Sequence, residues 1–222
     1  MNTKEQFSKI SEIYDSQRRN LIPCFDEFYN AAVNALKALP EKARVVDLGC
    51  GTGILAAKAL KRLPNAEIEC SDISDKMLEV AKKRFAENAN VSFKIADFTK
   101  RDLPKNTYNA VISALAIHHI ENAQKQSLYN NIYQSLKEGS VFVNAEQILG
   151  KDEFEIKRNA QSREDLILKY MTPEEASVAR TRLKCDRCAT ILDNIKMLQN
   201  AGFKNCKCVF EFLDFAVICA EK

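Results

Sequence analysis

The segment Val45-Val46-Asp47-Leu48-Gly49-Cys50-Gly51-Thr52-Gly53 constrains the fold more than any other. It is a β-type run that ends in three glycines spaced two apart. The 222-residue chain has only six glycines, so half of them stand in this one loop. Glycine is used where backbone takes positive φ or passes close to another group. A strand that runs through such a turn into a helix reads as the first βα unit of an open α/β sheet, whose ligands bind beyond the carboxyl ends of the strands. Two common phosphate loops are excluded. A dinucleotide fingerprint needs glycine or alanine three residues after the second glycine, where this chain has Ile54, and a P-loop needs Gly-Lys-Ser/Thr.

The flanking sequence extends this unit into a layered fold. Strand-type runs at 43–48, 66–71, 91–96, 108–114 and 140–145 alternate with helix-type runs at 53–63, 74–87 and 122–137. Alternation of this kind implies parallel strands joined by right-handed crossover helices. Upstream, Phe7, Ile10 and Tyr14 mark a first amphipathic helix, which the Ile22-Pro23 step interrupts. Phe25, Phe28, Ala32, Ala35, Leu36 and Leu39 mark a second, closed by Pro40. Residues 150–182 are charged and weakly periodic and predict a helical insertion. A helix at 188–200 ends at Gly202 as its cap, and 203–210 and 212–220 form a closing hairpin around 211–214. The expected fold is a doubly wound, Rossmann-like seven-stranded α/β sheet with an antiparallel C-terminal hairpin strand. It is expected as a single domain over 1–222, with lid helices at 1–40 and a helical cap at 150–182.

Acidic residues continue the pattern along the same sheet edge. Asp72 closes the second strand about 20 residues beyond the glycine loop, where a carboxylate accepts ribose hydroxyls. Asp97, followed by Phe98, ends the third strand, where it can meet the exocyclic amine of an adenine. A hydroxyl-rich, adenine-bearing ligand without a pyrophosphate satisfies all three features.

These residues carry a resemblance. Val45 to Gly53 resembles motif I of class I S-adenosylmethionine (SAM)-dependent methyltransferases. Asp72, Asp97-Phe98 and the run Tyr108 to Ala114 resemble the later motifs in order and spacing. The resemblance implies that Gly49, Cys50, Gly51 and Gly53 line the methionine part of SAM, with Asp47 ordering the loop or the ammonium. It implies that Asp72 holds the ribose, Ile73 covers the adenine, Asp97 and Phe98 contact it, and Ser113 and Ala114 line the sulfonium. Methyl transfer to a small-molecule acceptor follows as the expected activity.

Aligning the nucleophile contributes much of such a reaction, and a base is needed only when the nucleophile is protonated. The chain's two histidines, His118 and His119, are adjacent and follow the fourth strand. His119 is the catalytic candidate, either as a base or as a residue that seats the loop. Tyr14, on the lid, either reaches the methyl group or staples its helix to the sheet. Arg18 and Arg180 are candidate substrate contacts. Segments around Arg18 and Arg180 are distantly similar to the carboxy-SAM synthase branch, where an arginine of the insertion binds the carboxylate of a carboxylated SAM. That similarity implies, as an alternative, a synthase-like enzyme of tRNA wobble-uridine modification; the fold could also serve a SAM-binding regulatory protein without transferase activity.

Composition narrows the setting. The chain is 46% hydrophobic and 28% charged, with a net charge of +3, too balanced for tight nonspecific nucleic-acid binding, although a tRNA docked on a local patch stays open. No apolar run approaches the roughly 20 residues that span a bilayer, and no basic-then-apolar leader opens the chain. A cytoplasmic protein is expected, as a monomer or a homodimer. Eight cysteines then read as reduced thiols. Cys185-x-x-Cys188 with Cys206-x-Cys208 approaches a four-thiolate zinc spacing, but a helix separates the pairs, and no metal is assigned.

Overall fold

The computed structural model describes residues 14–222, without the side chains of Tyr14, Ser16 and Gln17. Phe7 and Ile10 lie outside the described residues. Helix α1 spans Tyr14–Leu21 and stops at the Ile22-Pro23 step, and α2 spans Phe25–Asn34. Alternation then runs β1 (Arg44–Leu48), α3 (Ile54–Arg62), β2 (Glu67–Asp72), α4 (Asp75–Arg84), β3 (Val91–Ile95) and β4 (Tyr108–Ala114). A 3-10 turn at Ile117–His119 leads into α5 (Asn122–Ser135) and β5 (Leu136–Gln147). The insertion is a helix pair, α6 (Glu153–Tyr170) and α7 (Pro173–Leu183). Helix α8 (Ile191–Asn200), β6 (Lys204–Phe212) and β7 (Phe215–Glu221) follow.

The described strands form one sheet of seven in the order β3-β2-β1-β4-β5-β7-β6. Strands β1 to β5 pair in parallel, and β7 enters antiparallel between β5 and β6, as the closing hairpin predicts. Gly202, at φ +105°, follows α8 and donates its N–H to Gln199 O, the glycine cap expected there. Several boundaries differ from the sequence reading, most of all between α5 and β5. Helix α5 stops at Ser135, and β5 starts at Leu136, where it pairs with Tyr108 before its register shifts.

Period-two alternation places successive strand residues in opposite apolar layers. Val45, Ile68, Ala110, Ile112 and Val143 pack with Phe28, Leu36, Leu55 and Ala59 on one face. Val46, Leu48, Val111 and Phe142 pack with Leu128, Tyr129, Ile132 and Leu198 on the other. A smaller cluster of Ile167, Ala176 and Ala179 holds the two cap helices together.

One polar side chain interrupts these layers near the end of β1. Asp47 is fully buried, and neither carboxylate oxygen has a well-formed hydrogen bond among the described residues. Burial raises its pKa to about 8, opposed by the Ala56 amide and reinforced by the charge of Asp72. An unfolded aspartate titrates near 3.9, so between about pH 4 and pH 8 the folded chain holds a proton that the unfolded chain lacks. Stability therefore falls as pH rises through that window, by at most about 1.4 kcal/mol per unit from this group. Asp47→Asn should flatten the fall in stability between pH 5 and 8 measured by urea unfolding. Parallel pH curves for the two proteins would refute the assignment.

Candidate functional site

Four strand ends, those of β1 to β4, and the loops that follow them build a first pocket, of about 270 Å³. Gly49, Gly51 and Gly53 all take positive φ, at 68°, 54° and 81°. At two of them space is also lacking: a Cβ on Gly49 would lie 2.4 Å from the Ala116 Cβ, and one on Gly53 2.6 Å from the Phe85 ring. The loop therefore lets β1 pass directly beneath the segment after β4. Asp72 holds it in place by accepting the Gly51 N–H at 2.8 Å through Oδ2, while Oδ1 accepts the Ser74 N–H at 2.8 Å. Each oxygen keeps a second lone-pair direction for a ligand hydroxyl. Burial raises the Asp72 pKa, although the amides of Ser74, Gly51 and Ile73 act in the opposite sense.

Gly49, Gly51, Asp72, Ile73, Asp97 and Phe98 line this pocket, as their motif positions imply. Asp97 Oδ1 accepts the Thr99 N–H at 3.0 Å and hydroxyl at 2.6 Å, and Oδ2 pairs with Lys100 at 3.3 Å. Burial opposes ionisation of Asp97, but Thr99 and Lys100 outweigh it and hold the pKa below the usual carboxylate range. Met77, Thr99 and Gln124 join the lining without a motif to mark them. The remaining expected donor contacts, Asp47, Cys50, Gly53, Ser113 and Ala114, do not line the pocket. Ser113 is fully buried and donates its hydroxyl to Leu48 O at 2.8 Å, tying β4 to β1. Cys50 is buried, and its thiol pKa stands well above the ordinary value through burial and the neighbouring Cys70. Gly53 packs on Phe85, and Ala114 is half-buried at the end of β4.

The N-terminal helix docks on the same loop. Asp15 accepts the Thr52 hydroxyl at 2.5 Å and pairs with Arg84, whose Nε donates to Thr52 O at 2.8 Å. This anchoring places Arg18, Leu21 and Ile22 over a second cavity, of about 80 Å³, closed on the other side by the cap helices. The side chain of Tyr14, a catalytic candidate, lies outside the described residues.

The second cavity brings together Arg18, Arg163, Arg182, Gln147, Asp186 and both histidines, against Leu21, Ile22, Ile167, Leu183 and Phe215. Among the residues lining the two pockets, His119 alone belongs to both. Burial, with His118 beside it, lowers the His119 pKa to about 4, against the pull of Asp186. Its Nδ1 lies 3.2 Å from Asp186 Oδ1. His118 is set by Glu146, which contacts its Nδ1 and accepts its backbone N–H at 3.0 Å. Arg180 does not line the cavity: it pairs with Glu164 of α6 through a hydrogen bond of 3.1 Å and a second, shorter one. Arg163, Arg182 and Asp186 instead bring charge from the insertion and the segment behind it, and no motif announces them. Among the described residues, none of Cys185, Cys188, Cys206 and Cys208 joins a group of three or more ligating side chains. No helix among the described residues is long and apolar enough to cross a membrane.

Comparison with known proteins agrees with this geometry. A family model described as a methyltransferase domain matches residues 45–139, from β1 to the start of β5. The carboxy-S-adenosyl-L-methionine synthase of Nautilia profundicola is 25% identical over 237 aligned positions, covering 96% of this chain and 92% of that protein. Among solved structures, a putative O-methyltransferase from Nostoc punctiforme superposes with a TM-score of 0.71 at 17% identity, covering 97% of this chain and 60% of that one. Human N-acetylserotonin methyltransferase in complex with SAM gives a TM-score of 0.64 at 20% identity, covering all of this chain and 60% of that one. The first pocket, the matched domain and the strand order agree, and residues 45–139 form a methyltransferase domain of the class I SAM-dependent superfamily.

Proposed function

We propose that the protein transfers a methyl group from SAM to a small molecule that enters between α1 and the cap helices and meets the donor beside His119. The observation that carries this reading is the single shared lining residue: His119 stands where the two pockets join. SAM, when bound, supplies a methyl group already activated on a sulfonium.

The residues present suit that donor. Asp72 is held by two backbone amides with capacity left for ribose hydroxyls, and Ile73, Met77 and Phe98 offer an apolar bed for adenine beside Asp97. The buried carboxylate of Asp47, without a well-formed hydrogen bond, suits the donor's ammonium group. On the acceptor side, Gln147 is buried with its Nε2 unpaired among the described residues, ready to donate to a ligand oxygen. Three arginines line that cavity against one carboxylate, Asp186, which favours an acceptor that carries negative charge on an otherwise apolar body. Covered by the cap and α1, the acceptor is shielded from water, and His119 is the side chain that contacts it at the junction.

A second reading rests on the match to carboxy-SAM synthases along nearly the whole chain. In that case SAM itself would be the molecule modified. Incubation with methyl-labelled SAM and a metabolite extract separates the cases. Label in a new anionic product supports methyl transfer. A heavier SAM bearing a carboxyl group, detected by mass spectrometry, supports the synthase. SAM binding with no product from any pool marks a regulatory protein.

Two substitutions test the assignment of the pockets. Asp72→Ala should weaken SAM binding more than tenfold by calorimetry, because charge-assisted hydrogen bonds contribute roughly 1.5–3 kcal/mol each. Unchanged affinity would remove Asp72 from the ribose. His119→Ala should abolish label transfer and leave SAM affinity within about threefold, since the polar contacts to the donor fall on Asp72, Asp97 and the glycine loop. A variant that still transfers label at the wild-type rate would remove His119 from catalysis.

A further inference from the structure

Two adjacent histidines and a carboxylate from another element converge where the pockets meet. His119 Nδ1 lies 3.2 Å from Asp186 Oδ1, and His118 Nε2 lies 3.7 Å from the same oxygen. One ligating atom from each of the three side chains lies within 4.8 Å of those of the other two. Ligands bound at about 2.1 Å to one ion are about 3.0–3.4 Å apart in octahedral or tetrahedral geometry, close to both spacings. The longer one exceeds the usual length of about 2.7–3.2 Å for an N–H···O hydrogen bond.

The surroundings present one nitrogen of His118 to the site. Glu146 accepts the backbone N–H groups of His118 and Gln147, at 3.0 and 2.8 Å, and contacts His118 Nδ1. Nε2 is therefore the nitrogen that faces Asp186 Oδ1, and a positive species, a proton or a metal ion, joins the two there. A carboxylate behind the outer nitrogen of a ligating histidine is the usual support for such a bond. The turn and the carboxylate are also held together: the Arg187 N–H donates to His118 O at 2.6 Å, and Lys125 Nζ donates to Arg187 O. Side-chain exposure is 4% for His118, 14% for His119 and 10% for Asp186.

We propose that His118 Nε2, His119 Nδ1 and Asp186 Oδ1 form a binding site for one divalent first-row transition-metal ion, with open positions toward the acceptor cavity. Two imidazoles and a carboxylate suit zinc, iron(II), cobalt or manganese better than calcium or magnesium. Glu146 and Asp186 supply negative charge around the ion. Arg18, Arg163 and Arg182, which also line the cavity, bear charge that opposes it. Only the use of the ion rests on the methyl-transfer reading: an acceptor oxygen takes an open position and is held at the junction.

Binding is measured without the acceptor. The full chain, stripped with EDTA, is titrated with Co²⁺, and visible absorption bands should saturate at one ion per chain. Asp186→Asn should weaken the ion more than tenfold, and Glu146→Gln by about tenfold or more. SAM binding by calorimetry confirms that each variant is folded. Because the chain has only two histidines, their ring signals in the wild-type NMR spectrum report on this site alone. Zn²⁺ should shift both sets. Absent bands, unshifted rings, or thiolate-to-cobalt charge-transfer bands from the cysteines would each overturn the proposal, leaving a shared proton as the positive species. Methyl transfer by fully stripped protein would overturn the catalytic use alone. An ion bound on schedule with no transfer would instead count against the methyltransferase reading.

Discussion

The hydrogen bond from the Gly51 N–H to Asp72 Oδ2, at 2.8 Å, joins the two halves of the donor pocket. It ties the glycine turn after β1 to the end of β2, and the second oxygen of the same carboxylate holds the Ser74 N–H at the start of α4. Ser74 in turn accepts the Met77 N–H and so caps α4, which carries Met77 into the pocket wall. Behind the turn, Thr52 reaches Asp15, and through it α1 is placed over the acceptor cavity. One carboxylate thus fixes the loop, the helix that carries Met77 into the pocket wall and, through the loop, the position of α1.

The acceptor side is organised around the turn after β4. Its two histidines are gripped from opposite directions, by Glu146 from β5 and by Asp186 from the segment that follows the cap. The peptide of Arg187 completes the grip by donating to His118 O and accepting from the buried Lys125. The cap is therefore more than a cover. The segment that leaves the cap is hydrogen-bonded to the turn between the two pockets, which links the end of α7 to His118 and His119.

The donor side was legible in the sequence because its signals are local. A strand, a glycine turn and a carboxylate at each strand end follow from spacing alone, and period-two alternation gives the layers. Chemistry supplied by the insertion was not legible. Residues 180 and 182 lie on one helix, about 200° apart around its axis. A shift of two positions therefore exchanges Arg180, paired with Glu164, for Arg182, which lines the cavity. Asp186 sits between Cys185 and Cys188, where the spacing drew attention to the thiols. Only the tertiary contact with His119 gives that aspartate its meaning. Ser113 shows the converse: a hydroxyl at the expected strand end is turned by strand alternation onto Leu48 O, where it binds two strands together.

The costs of this arrangement fall at one edge of the sheet. Asp47 near the end of β1, Glu146 near the end of β5 and Asp214 in the turn before β7 are all buried carboxylates, and Ile148 N–H donates to Asp214 O to bring the last two together. Burying a carboxylate is unfavourable unless hydrogen bonds and charge repay it, and an apolar residue of similar volume is often more stable. Asp214 is answered by Arg163 at 3.3 Å and Glu146 by His118 and two amides, whereas Asp47 has no such answer within the fold. Each lies at the carboxyl edge of the strands, and among the described residues the apolar layers beneath them carry no buried carboxylate. Where a sequence accepts a loss of stability at one edge and nowhere else, that loss marks the edge where ligands complete the structure.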